Sequence, residues 1–476
     1  MKRYEIIAED IAQSIRRGVL KPGDKLSSVR QTSQSRGVSP STVFEAYYLL
    51  EARGLIRARE RSGYYVASGI RHQLPEPEAL PRPVTRSADV DISMLVFDIL
   101  ESTRSREIVP LGSAFPSPLL FPFKDLARAI GSTQKEMDPW SSVDDLTPGN
   151  AQLRRQIALR YLVDGMQVHT DDIIITNGAL EALNLCLFAV TRPGDAVVIE
   201  SPAFYGALQA LERLGLKAIE VTTHPRDGMD LQALEQAITA HQPRACWLMS
   251  SFQNPLGASM PDQKKQELVR LLKRYQLPLI EDDVYGELYF GKQRHLPIKA
   301  FDTEGLVLHC SSFSKALAPG YRVGWAIAGR YAEAVSRHKL TTSISASAPA
   351  QAAIASYLQK PAYDRHLREL RHALAIQQNE LHEAIARHFP TGTRATRPTG
   401  GYFLWLELPE HIDALALHRQ AISHGISVAP GPMFSVNSDF RHCLRLNYGH
   451  PNDKRIAQSL QTLGKLATNY RPLRDN

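Results

Sequence analysis

One lysine in this chain stands among small hydroxyl residues, with an arginine seven positions after it. The segment reads Ser311-Ser312-Phe313-Ser314-Lys315-Ala316-Leu317-Ala318-Pro319-Gly320-Tyr321-Arg322. A pyridoxal-phosphate site needs these groups: an amine that forms an imine with the cofactor's aldehyde, and donors that hold its phosphate. We therefore expect Lys315 to bind this cofactor covalently.

The lysine segment follows the fifth of six short apolar segments, which predict β-strands. These segments are residues 172–176, 196–200, 245–249, 277–281, 305–309 and 323–327. Helical patterns separate them, so we predict a mostly parallel sheet covered by helices on both faces. Ligands bind at the carboxyl ends of the strands in such sheets.

Polar and aromatic residues follow these predicted strands. The stretches are Asn177-Gly178-Ala179-Leu180, Ser201-Pro202-Ala203-Phe204-Tyr205, Asn254-Pro255-Leu256-Gly257 and Asp282-Asp283-Val284-Tyr285. The free N–H groups of Ala179 and Leu180 would form an anion site at a helix start. An Asp pair can also bind metal, but no histidine is suitably spaced beside it, so no metal site is predicted.

In this order, the stretches resemble the fold-type-I aminotransferases over about residues 107–470. The resemblance implies that Lys315 holds pyridoxal phosphate and that Asp282 pairs with its pyridinium nitrogen. Asp282 is preferred to Asp283 because the family places a tyrosine three residues after that aspartate, which fits Tyr285. A small C-terminal α/β domain is implied as well.

The same resemblance implies further roles around the cofactor and its ligand. Asn254 and Tyr285 would bind the ring hydroxyl, Phe204 would stack on the ring with Tyr205 as second choice, Gly178, Ala179, Leu180, Ser312, Ser314 and Arg322 would bind the phosphate, and Arg445 would grip an amino acid's α-carboxylate. One position departs from the family. Asp144 stands where relatives have a tyrosine that reaches the phosphate of the partner subunit's cofactor.

The N-terminal segment has a different character. Residues 1–72 contain 13 Lys and Arg against 7 Asp and Glu, a net charge of +6 out of +7 for the whole chain. Helical patterns cover 4–17, 27–36 and a third segment from Ser39-Pro40 to Gly54, and two short strands at 55–60 and 64–67 flank a turn. Three helices with a basic hairpin wing predict DNA binding.

This segment resembles the GntR-type winged helix, notably in PGDKLSSVR, GVSPSTVFEAYYLLEARGLI and RSGYYVA. The resemblance implies that the third helix lies in the major groove and the wing in the adjacent minor groove. The implied DNA contacts are Arg30, Ser39, Ser41, Thr42, Arg61, Ser62 and Gly63. Pro40 replaces an arginine of many relatives and so removes one guanine-seeking side chain.

The length of 476 residues predicts about three domains. We place a DNA-binding domain at 1–68, a proline-rich linker at 69–92 and an aminotransferase-like domain at 93–476. The last has a large part at about 140–345 and a small part at about 350–476 with the N-terminal segment. Four scattered cysteines, no signal peptide and no apolar run of membrane length predict a soluble cytoplasmic protein.

A GntR-type domain joined to an aminotransferase-like domain resembles the MocR subfamily of transcriptional regulators. The resemblance implies a homodimer that binds a double-stranded DNA operator with an affinity set by pyridoxal phosphate and by an amino acid or amine joined to it at Lys315. It also implies a head-to-tail arrangement, each DNA-binding domain over the partner's body. The alternatives are a working aminotransferase with a secondary DNA-binding domain, and a degenerate body that only dimerises. At most weak transaminase activity is expected, because of Asp144.

Overall fold

The computed structural model describes residues 2–59, 62–67, 74–78, 87–102, 105–144, 146–291, 293–451 and 453–471. Its N-terminal unit, here called the reader (residues 3–66), has the elements α1 (Arg3–Arg16), α2 (Val29–Arg36), α3 (Pro40–Ala52), β1 (Ile56–Arg59) and β2 (Gly63–Val66). The strands β1 and β2 form an antiparallel hairpin. Ile7 of α1 packs with Val43, Tyr47 and Leu50 of α3 in a core of its own. This is the predicted winged helix-turn-helix.

The described residues from 87 to 471 are called the body. Its first part is built on a large sheet. Its elements are β3 (Ala88–Asp89), α4 (Ser93–Ser102), α5 (Phe123–Glu136), α6 (Ser141–Asp144), α7 (Ala151–Val163), β4 (Ile173–Thr176), α8 (Ala179–Val190), β5 (Ala196–Ser201), α9 (Tyr205–Arg213), β6 (Lys217–His224), β7 (Gly228–Met229), α10 (Leu231–His241), β8 (Ala245–Leu248), α11 (Asp262–Tyr275), β9 (Leu279–Asp282), β10 (Val307–Ser312), β11 (Gly324–Ile327) and α12 (Ala332–Thr342).

A smaller C-terminal part completes the body. Its elements are α13 (Ala348–Leu358), α14 (Ala362–His388), β12 (Arg394–Ala395), β13 (Phe403–Glu407), α15 (Ala414–Ser423), β14 (Ala429–Pro430), β15 (Cys443–Asn447) and α16 (Lys454–Thr468). The four strands pair antiparallel in the order β12-β13-β15-β14. Arg445 lies in the middle of β15.

The large sheet has the strand order β3-β6-β5-β8-β9-β10-β11-β4, with β7 beside β6. Strands β6, β5, β8, β9 and β10 are parallel to one another, whereas β3 is antiparallel to β6, and β11 is antiparallel to both β10 and β4. The central strands are buried on both faces, because apolar helices cover the two sides. The predicted fold class, a mostly parallel sheet with helices on both faces, is confirmed.

Two strands end later than the sequence patterns predict. Asp282 is the last residue of β9 and Ser312 the last residue of β10, because Asp282 still pairs with Cys310 and Ser312 with Gly324. Asp282 and Ser312 therefore lie at the strand ends themselves, whereas Lys315 lies in the turn after β10. A rigid strand end holds a side chain more firmly than a loop does.

The described parts of the predicted linker are attached to the body. The backbone carbonyl of Pro75 accepts from Ala395 N at 3.0 Å. Glu76 forms an ion pair with Arg226 at 2.5 Å. Ala88–Asp89 add β3 to the edge of the large sheet, and Val90 is buried in the core. The segment 69–92 is thus not a free tether along its whole length.

The reader packs on α14 of its own chain. The ring of Tyr48 on α3 lies 4.3 Å from the ring of His372 on α14, between centroids. Asn379 Nδ2 donates to the carbonyl of Ala52 at 2.7 Å. The head-to-tail arrangement implied by the family resemblance stays a prediction. Within the described residues, no helix combines the length and apolar character that crossing a membrane requires.

Candidate functional site

A cavity of about 710 Å³ opens at the carboxyl ends of the central strands. It receives residues from the ends of β9 and β10, from the position after β8, and from the first turns of α8 and α9. The predicted site residues that line it are Ala179, Leu180, Phe204, Asn254, Asp282, Tyr285, Ser312, Ser314, Lys315 and Arg322. Predicted site residues up to 143 positions apart in sequence therefore meet in one space, as the sheet topology requires.

Lys315 projects into this cavity from the turn after β10. Its Nζ donates to the carbonyl of Ala114 at 3.0 Å and lies 3.8 Å from the centroid of the Phe115 ring. Burial lowers the pKa of the Lys315 amine to about 7, although the Asp282 carboxylate acts in the opposite direction. About half of an amine with such a pKa is neutral at pH 7, and the neutral form is the nucleophile.

The structure distinguishes the two neighbouring aspartates. Asp283 is held by Arg294, whose Nη2 donates to Asp283 Oδ2 at 2.6 Å on the side away from the cavity. Asp282 lines the cavity, is 1% exposed, and its Oδ1 has no hydrogen-bond partner among the described residues. Burial, with a smaller contribution from Asp283, raises the pKa of Asp282 to about 7. A buried carboxylate oxygen without a partner fits a ligand that brings a proton to it.

Arg445 does not line the cavity itself, but it contacts Asn254, which does. Arg445 Nη1 donates to Asn254 Oδ1 at 2.9 Å, and Asn254 Nδ2 has no partner in the described part of the chain. Arg445 is 1% exposed and lies between the rings of Phe403 and Phe434, 4.2 and 5.3 Å from their centroids. Its Nε also lacks a hydrogen-bond partner there. The guanidinium therefore retains one unsatisfied donor.

Three aromatic side chains, Tyr285, Phe204 and Tyr205, line this end. The Tyr285 ring stands edge-on to those of Tyr402 and Phe403, at 5.4 and 5.6 Å between centroids. Burial raises the pKa of Tyr285, so its hydroxyl remains protonated and can donate. Phe204 and Tyr205 both line the cavity at the start of α9. Tyr205 packs on Phe434 near Arg445, which leaves Phe204 as the freer of the two rings.

The opposite end of the cavity presents donors for an anion. Arg322 Nη1 donates to Ser314 Oγ at 3.1 Å, and Ser314 N donates to Ser312 Oγ at 3.4 Å. Gly178, with φ +82°, precedes α8, so the first N–H groups of that helix point to this end. A Cβ added at Gly178 would lie 2.3 Å from Arg322 Nη2. The position therefore requires glycine.

Sequence reasoning missed the segment Gly112–Phe115, which crosses the cavity. Its carbonyls accept hydrogen bonds from Lys315, from Arg445 (Gly112 O, 2.6 Å) and from Asn447 (Ser113 O, 2.9 Å). Tyr402 OH also donates to Ala114 O, at 3.1 Å. Both Asn447 and Tyr402 lie within the part of the chain that resembles the aminotransferases. Nothing periodic marks the segment itself, and its run of small residues beside two prolines is the signal that could have drawn attention to it. Asp144 is the last residue of α6. Its side chain is not among the described parts of the structure.

The reader presents the predicted DNA-binding residues at its surface. Arg30 is exposed on α2, and Ser39 caps α3 by accepting from Thr42 N at 3.3 Å. Ser39 Oγ also bonds with the hydroxyls of Ser41 and Thr42, at 2.8 and 2.9 Å. In the wing, Ser62 Oγ bonds with Tyr65 OH at 2.6 Å and Gly63 begins β2 with φ +103°. Arg61 lies outside the described residues.

Two family descriptions match this chain. "Bacterial regulatory proteins, gntR family" matches residues 3–66, and "Aminotransferase class I and II" matches residues 131–462. The HTH-type transcriptional regulator YdcR of Escherichia coli is 48% identical over 98% of this chain and 99% of its own length. The regulator YjiR of the same organism is 39% identical over 98% of both chains. The chain belongs to the HTH-type transcriptional regulators that join a GntR domain to an aminotransferase domain.

This family is a family of DNA-binding regulators, and its combination of domains is that of the predicted MocR type. Among solved structures, the α-aminoadipate aminotransferase LysN of Thermus thermophilus, complexed with N-(5'-phosphopyridoxyl)-L-leucine, superposes with a TM-score of 0.71 at 30% identity. The match covers 78% of this chain and 94% of LysN. The aminotransferase fold implies pyridoxal phosphate as the cofactor. The unpartnered Asp282 Oδ1 and Asn254 Nδ2 and the glycine at 178 fit that cofactor.

Proposed function

We propose that this protein is a transcriptional regulator whose affinity for its DNA operator depends on pyridoxal phosphate and on an amino acid bound with it. The observation that supports the proposal most strongly is a full set of cofactor-binding groups in a chain whose α3 packs on the body. A ligand changes DNA affinity only if it binds two states of the protein differently. The contact between α3 and α14 is an element that can differ between two such states.

Each residue of the cavity would have a defined task. Pyridoxal phosphate, when bound, supplies an aldehyde that binds amines and a ring that withdraws electrons. Lys315 supplies the amine, Asp282 holds a proton at the ring nitrogen, and Asn254 and Tyr285 donate to the ring hydroxyl. Phe204 covers a ring face. Ser312, Ser314, Arg322 and the N–H groups of Ala179 and Leu180 hold the phosphate.

Arg445 favours an amino acid over a simple amine as the second ligand. The guanidinium is buried between two aromatic rings, and burial lowers its pKa. A carboxylate that binds to it therefore compensates a desolvated positive charge. An amine without a carboxylate gains nothing from this residue.

A working aminotransferase is the second candidate function. The set of Lys315, Asp282, Tyr285 and Arg445 favours it, because these are the groups on which the chemistry of the aminotransferase fold depends. The acidic residue at position 144 argues against it, since an ionised carboxylate cannot donate to a phosphate. We propose slow transaminase turnover at most.

A homodimer is part of the proposal. Met94 and Phe97 on α4 are 69% and 59% exposed, and Leu180, at the edge of the cavity, is 47% exposed. Exposed apolar patches of this kind mark protein interfaces. A partner that covers them would also close the cavity.

Because the DNA that a bacterial regulator binds is in the cytoplasm, we place the protein there.

The deciding experiment measures DNA affinity with the cofactor site filled and empty. We expect pyridoxal phosphate, or the cofactor with an amino acid, to change the Kd for the promoter DNA of the protein's own gene by about 5- to 150-fold, the usual allosteric range. Lys315→Ala should lack the imine absorbance band and the change in Kd. Identical Kd values under all conditions would refute the regulatory proposal, and turnover of about 1–1000 per second would favour the enzyme.

A further inference from the structure

The DNA-facing helix of the reader contains no cation. In helix-turn-helix proteins the second helix of the motif enters the major groove, and its N-terminal residues meet the base edges. Here that helix is α3, whose sequence PSTVFEAYYLLEA has no lysine, arginine or histidine. The commonest base-specific contact, arginine or lysine to guanine, is therefore not available on α3.

The side chains that remain on the outer face of α3 are few. Val43, Tyr47 and Leu50 are buried in the reader's core. Ser41 and Thr42 bond with Ser39 Oγ at the cap. Phe44, Glu45 and Tyr48 are exposed, and Tyr48 stacks on His372 of the body.

Phe44 is a large apolar side chain in an exposed position. It keeps 41% of its surface exposed, and the ring contact that the structure shows for it is with Tyr48, at 6.0 Å between centroids. In the major groove an apolar side chain has one apolar partner, the 5-methyl group of thymine. The helix start places Phe44 one turn after Pro40, within the stretch that meets the base edges.

Glu45 is the next residue, and its exposed carboxylate would be repelled by DNA phosphates. An acidic side chain is compatible with the major groove where it accepts from the amino group of cytosine. Exposed cations of the reader lie on other elements, among them Lys25, Arg30 and Arg59. These can neutralise phosphates, which positions the protein but carries no sequence information.

We propose that α3 reads pyrimidines: Phe44 packs on the methyl group of a thymine, and Glu45 accepts from the amino group of a cytosine. This inference rests on DNA binding by the reader and is independent of any response to pyridoxal phosphate. It assigns base specificity to two side chains that carry no positive charge.

The test starts from a random-sequence duplex library, from which the full-length protein with saturating pyridoxal phosphate selects its preferred DNA. Affinity is then measured for that DNA with each thymine in turn replaced by uracil, which lacks the methyl group. We expect one such replacement in each half-site to weaken binding by about fourfold, the factor for one buried methyl group. No effect of any thymine-to-uracil replacement would overturn the proposal.

Variants assign the effect to the two residues. Phe44→Ala should bind thymine and uracil DNA equally, while Phe44→Leu should keep the difference. Glu45→Gln should select adenine where the wild type selects cytosine, because an amide pairs with adenine. Ile6→Ala, a change of an exposed apolar residue on α1 (46% exposed), should behave as wild type.

Thermal unfolding shows whether each variant is folded. We expect all of them to fold, because the substituted side chains are exposed and contribute little to the core. A folded Phe44→Ala protein with an unchanged preference for thymine would show that Phe44 does not read DNA. Because all measurements are ratios at one cofactor concentration, they remain valid even if pyridoxal phosphate has no influence on affinity.

Discussion

At the scale of single residues, the phosphate end of the cavity depends most on Arg322. It is the one predicted phosphate ligand with a full positive charge. Its backbone adopts a left-handed conformation (φ +53°), and its Nη1 donates a hydrogen bond to Ser314 Oγ. Such a conformation costs energy for a residue with a side chain and persists where the surroundings enforce it. Gly178, which makes room for the guanidinium, is part of those surroundings.

We expect Arg322→Ala to weaken pyridoxal-phosphate binding by about 1.5–3 kcal/mol, the scale of a hydrogen bond to a charged group. The lower end of this range is the more reasonable expectation because the side chain is exposed to solvent. Equilibrium absorbance titration of the cofactor-free protein measures the effect. Arg330→Ala is the matched control, since Arg330 is exposed and bonds with Gln276 outside the cavity. Equal affinities for both variants would contradict the role.

The lowered pKa of Lys315 gives a pH dependence with a definite sign. The neutral amine is the reactive form, and its fraction rises with pH until pH exceeds the pKa of about 7. Attachment of pyridoxal phosphate should therefore accelerate about tenfold per pH unit below pH 7 and level off above it. Stopped-flow absorbance measures the rate, and a free lysine derivative, whose amine has its ordinary pKa of about 10.4, is the reference. A rate that rises to pH 10 would refute the assignment.

At the scale of elements, sequence patterns located the residues that follow a strand but not those that cross between distant elements. Asp282 was found because a buried apolar run stops beside it, and Asn254 because it begins a short motif five residues after another such run. The ends of β9 and β10 were predicted too early because Asp282, Ser311 and Ser312 are polar although they still pair in the sheet. Polarity alone does not end a strand when its hydrogen bonds continue.

Contacts between segments far apart in sequence left no pattern to detect. Lys315 Nζ meets Ala114 O across 201 positions, and Asn379 meets Ala52 O across 327. Both are side-chain donors bonded to a backbone carbonyl, an acceptor that every residue possesses. Neither contact requires a particular residue type on the accepting side, so single-sequence reasoning could not predict it.

At the contact of α3 with α14 we expect the proposed cofactor site and the DNA-binding surface to communicate. Arg371 on α14 bonds with Glu287, which follows Tyr285 by two positions, at 2.9 Å, and the adjacent His372 stacks on Tyr48. Burial lowers the pKa of His372 to about 4, so this ring is neutral at pH 7 and the stacking carries no charge. Cofactor site, α14 and α3 are thus joined through packed groups.

Asn379→Ala should loosen the reader from the body by about 1 kcal/mol, the value of one hydrogen bond. Amide hydrogen exchange in α3 should become about fivefold faster, and the effect of pyridoxal phosphate on DNA affinity should shrink. Arg368→Ala, an exposed change on the same helix, serves as control. Unchanged exchange in α3 would mean that this contact does not hold the reader in solution.

At the scale of the whole molecule, charge is distributed unevenly between the reader and the body. The net charge of +6 in residues 1–72 makes the reader the basic part of a nearly neutral protein. Long-range attraction to DNA therefore orients the molecule with its reader toward the duplex. The cofactor cavity is left on the neutral part, where small ligands reach it without competition from the DNA.

This distribution predicts that DNA binding depends steeply on salt, because each phosphate neutralised by the reader releases counterions. Arg30→Ala should weaken binding about equally for all sequences and reduce the slope of log K against log salt by about 1, the signature of one lost phosphate contact. Fluorescence anisotropy at several salt concentrations measures the slope. Arg128→Ala removes an exposed arginine from α5 of the body and should leave the slope unchanged. If Arg128→Ala lowered it as much as Arg30→Ala, the body would share in binding DNA and the charge argument would fail.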